Sequence, residues 1–280
     1  MTLDVMLVVL LSALLHAGWN ALVRAAADKF LSTLVVVLGA GLLALPLLPW
    51  LALPAPASWP YLLASALIHV VYFTLVAWSY RHADLSLAYP VMRGTAPVLT
   101  ALAAALLLGE MPSAGGWAGI ALICLGVLAL AGAAWRVAPR PGAALLPALA
   151  NAIVIAAYTL VDGQGARLSG QAAGYTGWLF LLTAVLLLGL AWGWRGRRVL
   201  QQARPLWRQG LLGGAGTLTA YGLVLWAMAQ APIALVAALR ETSIVFAALI
   251  GALLLHERMH RGRLIALALM CAGAVAIKLS

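Results

Sequence analysis

Charge is scarce in this chain. Only 9% of its 280 residues are Asp, Glu, Lys or Arg, and 7 of those are acidic, against 65% hydrophobic. Such a balance cannot cover a water-soluble domain of this size with polar surface. Cysteine is nearly absent too: Cys124 and Cys271 both sit inside apolar runs, where small packing residues are expected rather than a disulfide or a metal pair. The start, MTLDVML, lacks the basic residues that open a secretory signal, so its apolar run is expected to be retained as a first membrane span. Arrangements that would do covalent chemistry are missing as well. There is no His/Asp metal set, no serine with a convincing base and no phosphatase-like spacing of arginine and histidine. An intramembrane enzyme is therefore disfavoured, no residue is assigned as catalytic, and no cofactor or metal is expected.

What the chain does have is apolar runs long enough to cross about 30 Å of hydrocarbon, roughly 20 residues each. Cut at polar and Pro/Gly punctuation, they predict ten spans near 3–24, 30–51, 59–80, 85–108, 114–135, 144–164, 174–194, 207–229, 232–255 and 262–279. Very short loops leave no room for a soluble domain. The fold class is an all-α polytopic membrane protein.

The chain also repeats itself. AYPVMRGTAPVLTALAAALLLGE at 88–110 returns 147 residues later as LVAALRETSIVFAALIGALLLHE at 235–257, pairing Arg93 with Arg240, Thr95 with Thr242 and Glu110 with Glu257. The register continues through Gly115/Gly262, Cys124/Cys271 and Gly126/Gly273. Five spans per half is an odd number, so the halves, 1–138 and 139–280, are expected to be inverted five-helix repeats around a central cavity.

A net charge of +10 would suggest nucleic acid in a soluble protein, but here the basic residues gather in short gaps between spans and are read as topology signals. Arg24, Lys29, Arg81, Arg136, Arg140, the cluster Arg195, Arg197, Arg198, Arg204 and Arg208, and Arg258, Arg261 and Arg263 fall on one side; Arg167 and Lys278 fall on the other. The basic side is then cytoplasmic, with both termini outside.

Ten spans as two fives, the HAGWNALVRAAADK ending of the first span and the duplicated 88–110 block together resemble the EamA-type branch of the drug/metabolite transporter superfamily, across the whole chain. The resemblance implies an alternating-access carrier in which spans 1, 3, 4, 6, 8 and 9 line a central cavity while spans 5 and 10 serve as scaffold. It does not identify a substrate, since the superfamily handles amino acids, nucleotide sugars, sugar phosphates, cations and lipid-linked sugars.

Candidate transport residues follow from polar and aromatic side chains inside apolar spans. The first span places Ser12, His16, Trp19 and Asn20 on one face, and alignment with the sixth sets Ser12 against Asn151, Trp19 against Tyr158, Asn20 against Thr159 and Val23 against Asp162. The third carries His69, Tyr72 and Phe73, with Trp78 on a neighbouring face; His69 is read equally as a proton carrier or as a neutral group bonded to a carbonyl. Glycines at 210, 213, 214 and 216 of the eighth span are read first as close packing and second as room for substrate, with Tyr221 facing the cavity. Arg93 lies between Pro90 and Pro97, where an interrupted hydrogen-bond ladder, freed carbonyls and a bend are expected; beside Tyr89 it can hold an anionic group or snorkel to the surface. The second copy has Glu241 where the first has Gly94. Glu241, next to Arg240, is the candidate for proton coupling, with a fixed ion pair as the competing role. Glu110 and Glu257 are read as structural.

The expected substrate-binding set is therefore His16, Trp19, Asn20, His69, Tyr72, Trp78, Tyr89, Arg93, Tyr158, Tyr221, Arg240 and Glu241. It points to a secondary carrier in a bacterial inner membrane that exports small polar or amphipathic metabolites such as amino acids. A flippase for lipid-linked sugar or polyprenyl phosphate is the alternative, and a structural membrane subunit the remote one. Expected partners are the small-molecule substrate and membrane lipids, with no nucleic acid, in a monomer or weak homodimer.

Overall fold

The computed structural model describes residues 1–26, 28–82, 85–137, 141–254 and 259–280, without the side chains of 21–25, 77–82, 85–86, 133–134, 136–137, 141, 143–144 and 254. Trp78 and Glu257 thus lie outside the described side chains. Every regular element among the described residues is helical. In order they are α1 (Leu3–Ala25), α2 (Lys29–Ala44), α3 (Trp59–His82), α4 (Leu85–Leu108), α5 (Ala114–Val137), α6 (Pro141–Leu168), α7 (Ala172–Arg195), α8 (Arg198–Ala203), α9 (Trp207–Gln230), α10 (Ile233–Arg240), α11 (Ser243–Leu254) and α12 (Arg261–Leu279). Nine described stretches are long and apolar enough to cross a bilayer, with α10 and α11 counting as one.

Two of these spans, the second and the ninth, differ from expectation. The second span stops at Ala44 instead of running to 51, because Pro46 and Pro49 cannot continue its hydrogen-bond ladder and the chain tightens into a 3-10 turn at Leu48–Trp50. The fourth was expected to bend around Arg93, and α4 runs from Leu85 to Leu108 with Pro90 and Pro97 inside it. A break falls in the second copy, between α10 and α11, where there is no proline. The ninth predicted span is therefore two helices.

The chain forms two compact units, each drawn from both halves of the sequence: 1–14, 78–160 and 230–280 in the first, 15–77 and 161–229 in the second. The first unit is built on α5 and α12. A Cβ on Gly126 would come within 2.6 Å of Ala266 O and Met270 Cγ, and one on Gly273 within 2.7 Å of Gly119 O and Ile123 Cγ1. Adding the 147-residue repeat to 119, 123 and 126 gives 266, 270 and 273, so the contact maps onto itself when the copies are exchanged. That is the isologous pattern of a two-fold axis, as inverted repeats require. The repeat-equivalent Leu106 and Leu253 are 84% and 73% exposed, as lipid-facing residues are.

The second unit closes on small residues of α2. Gly39 and Gly214 meet backbone to backbone, a Cβ on Gly213 would sit 2.6 Å from Val36 Cγ2, and Gly41 faces Ala184 of α7. Gly210, Gly213 and Gly214 of α9 are thus packing residues, while Gly216 lies against the Trp19 side chain. Phe30, Leu31, Leu34 and Val37 bury against Ala184, Leu187 and Ala191, and Val199 anchors α8 to the same core. Asp28 caps α2 by accepting from Leu31 N at 2.9 Å and pairs with Arg195 at 2.8 Å.

Candidate functional site

Among the described residues, each unit buries one cluster of ionisable side chains. In the first, Arg93 Nε lies 2.8 Å from Glu241 Oε2, with both side chains 4% exposed. Arg240, Glu241, Thr242 and Ser243 are all buried. At this point the backbone changes its hydrogen bonding: Glu241 N donates to Ala238 O, Thr242 N to Leu239 O, Ile244 N to Glu241 O and Val245 N to Thr242 O, each three residues back instead of four. The Thr242 hydroxyl donates to Leu239 O at 2.6 Å. Non-helical backbone at membrane depth persists where protein or a water-lined cavity surrounds it, and such tightened turns mark hinges and ion sites. The sequence departs from its first copy here, with Glu241 in the place of Gly94. In the first copy that place is closed, since a Cβ on Gly94 would lie 2.8 Å from Leu128 Cγ.

Other expected residues of this unit are Tyr158, buried, and Tyr89, half-buried and one turn before Arg93. Asn151, fully buried on α6, donates from Nδ2 to Met92 Sδ at 3.1 Å, next to Arg93 in the chain. Glu110 accepts from Ile233 N at 2.9 Å and so caps the start of α10, which agrees with its structural reading.

The second unit holds a carboxylate absent from the expected set. Asp162 of α6 is 0% exposed and accepts from Tyr175 Oη at 3.1 Å and from Tyr221 Oη at 2.5 Å, one phenol on each carboxylate oxygen. Gly165, nearly one turn further along α6, makes this possible, because a Cβ there would collide with the Tyr175 ring and hydroxyl. The Ser65 hydroxyl of α3 also faces the carboxylate. Ser65 in turn meets His69: Nδ1 lies 3.1 Å from Ser65 Oγ and 3.0 Å from Ser65 O. A backbone carbonyl only accepts, so that contact places the hydrogen on Nδ1 and leaves Nε2 as the basic nitrogen.

Aromatic rings surround the cluster. His69 packs edge-on to Tyr221 at 5.9 Å and to Tyr72 at 6.4 Å, with Phe73 at 6.1 Å, and Phe180 meets Tyr221 at 6.1 Å. His16 and Trp19 form a separate T-shaped pair at 5.1 Å, and Asn20 is half-buried beside them. Of the expected set, then, His69, Tyr72 and Tyr221 gather in the second unit, and Arg93, Arg240 and Glu241 in the first.

Asp162, Tyr175 and Ser65 are the residues that sequence reasoning missed. For Asp162 the signal was present: it is an acid inside an apolar run, on the stripe shared with Asn151 and Tyr158, and an acid so placed is costly without a use. Ser65 and Tyr175 carry no such signal.

Long apolar helices, a duplicated sequence and buried charge beside an interrupted span define a polytopic membrane protein. The sequence matches the EamA-like transporter family over residues 4–132 and again over 142–279, and the chain belongs to that family. It is therefore a membrane transporter of the drug/metabolite transporter superfamily. A solved crystal structure 20% identical in sequence shares the fold, with a TM-score of 0.76 over 100% of this chain and 98% of that one. No curated protein matches the sequence.

Proposed function

We propose that this transporter is a secondary carrier that exports small polar or amphipathic metabolites, amino acids foremost, across a bacterial inner membrane by alternating access. The observation that carries this reading is the buried Arg93–Glu241 pair at the interruption between α10 and α11, with Arg240 beside it. Two guanidinium groups and one carboxylate sum to a surplus of one positive charge, which suits a substrate carboxylate. In the second unit, His16, Trp19, Tyr72 and Tyr221 offer apolar and cation-π surface of the kind amino-acid side chains and amines use. The break at Glu241 is a place where a span can bend during the cycle. By the loop charges, both termini are extracytoplasmic.

The test is the unfolding temperature of purified protein against amino acids, polyamines, quaternary cations, nucleotide sugars and prenyl phosphates, with Arg93→Ala and Glu241→Gln in parallel. A ligand at a hundredfold excess over Kd stabilises the folded state by about 2.7 kcal/mol. Stabilisation by amino acids that is lost in both variants is expected. Stabilisation by prenyl phosphates alone would replace this reading with a lipid-linked flippase.

A further inference from the structure

Asp162 is the most completely buried acid among the described residues, and the proposed substrate contacts do not use it. Among the described residues, the titratable groups that face it are His69 from α3, Tyr175 from α7 and Tyr221 from α9. On its own helix, Arg167 is turned away to donate from Nε to Met228 O at 2.8 Å. The geometry points to Asp162, clamped by Tyr175 and Tyr221 and joined to His69 through Ser65, as the proton-binding site of this transporter. The inference rests on the chain's being a carrier and deepens that reading by naming the coupling ion.

The network has a consistent hydrogen-bond pattern with and without the proton. When Asp162 is charged, both phenols donate to it, as observed. When it takes a proton on Oδ2, the new O–H donates to Tyr221 Oη, and the Tyr221 hydrogen turns away. Tyr175 is fully buried and keeps its bond to Oδ1, whereas Tyr221 is only half-buried. His69 is half-buried with its Nδ1–H tied to Ser65, which sets an imidazole able to take up a proton beside the acid. No other reactant is needed, since one proton enters and the same proton leaves. Glu241 is less suited, because a proton there would cancel the charge opposite Arg93.

Infrared difference spectra of the purified protein, recorded during a pH titration in detergent without substrate, test the assignment. Asp162→Asn should lose one protonated-carboxyl band that Glu241→Gln retains. Tyr221→Phe and Tyr175→Phe, each removing one donor to the carboxylate, should move the band's midpoint to higher pH by about one unit. His69→Gln should alter the midpoint while keeping the band. If the Asp162→Asn titration superimposes on the wild type, or Glu241→Gln removes the band, the assignment is wrong. Should Asp162→Asn not fold, the tyrosine variants decide: an unmoved midpoint in both overturns it. Because no substrate is present, the result stands whether or not amino acids are what the carrier moves.

Discussion

Removing both members of the Arg93–Glu241 pair should cost less than the two single removals added together. The pair is 2.8 Å long and each side chain is 4% exposed, so water cannot take over for a missing partner. Deleting one member of a buried pair generally costs about 3–5 kcal/mol, because the remaining charge stays in a low-dielectric site. Replacing both members with apolar side chains of similar length is about neutral, or stabilising by up to ~4 kcal/mol. Here the gain is smaller, since Arg240 also faces Glu241 and stays buried in the double variant. Arg93→Met and Glu241→Met should therefore each lose about 3–5 kcal/mol, and the double variant clearly less than their sum, well beyond the ~0.5 kcal/mol scatter of independent sites. Unfolding in detergent, followed by tryptophan fluorescence for all four proteins, measures the cycle. Single variants as stable as the wild type, or strictly additive losses, would refute the reasoning.

The same four proteins separate structure from transport. If the pair exists only to hold α4 against α10, the double variant, once stable, should carry substrate like the wild type. If the proposed role is right, it folds and does not transport. Transport by the double variant would remove Arg93 and Glu241 from the substrate site whatever their effect on stability.

Further expectations concern the scaffold. Gly126→Ala and Gly273→Ala place a methyl within 2.7 Å of the facing helix and should each lose about 1–3 kcal/mol in the same unfolding assay. Gly132→Ala on α5, with nothing within 4 Å, should be neutral or stabilising by up to ~1 kcal/mol, and a loss equal to that at Gly126 would sink the packing argument. Glu110→Ala removes the cap of α10 and should cost about 0.5–2 kcal/mol of unfolding free energy, with Glu110→Asp as the comparison for a shortened reach. Asp28→Ala should lose about 1 kcal/mol through its cap on α2 in the same unfolding assay.

Most of the fold could be read from the chain because hydrocarbon punishes exposed backbone, so apolar runs and their punctuation are nearly the helices themselves. The fourth span, expected at 85–108, is α4 at Leu85–Leu108, and the tenth, expected at 262–279, begins one residue earlier at Arg261. Errors arose where local chemistry overrode run length. Pro46 ends α2 early, and Pro141 at its first position lets α6 start before the predicted 144. The short α8 was hidden in a basic gap and exists because Val199 reaches the core of the second unit. The candidate sites were less legible. Arg93 and Glu241 stand out as charges in apolar runs, but which groups face them depends on helix rotation, and Asp162 needed Tyr175 and Tyr221 from two other helices to show its purpose.

The two copies agree where they scaffold and diverge where they carry charge, and one position shows why. On α4 the repeat position is Gly94, pressed against Leu128 and Cys124 of α5, so that copy has no volume for an acid. The second copy opens its helix at the same register, between α10 and α11, and fills the opening with Glu241. The prolines follow the opposite rule: Pro90 and Pro97 sit inside the unbroken helix, while the break has none. Proline alone therefore does not decide where a span opens. α4 stays helical because Gly94 lets its backbone approach α5, while the second copy opens where a buried acid must meet Arg93. A Gly94→Glu variant would put an acid into the closed copy, and its Cβ alone already overlaps Leu128. It should fail to fold rather than create a second, symmetric site.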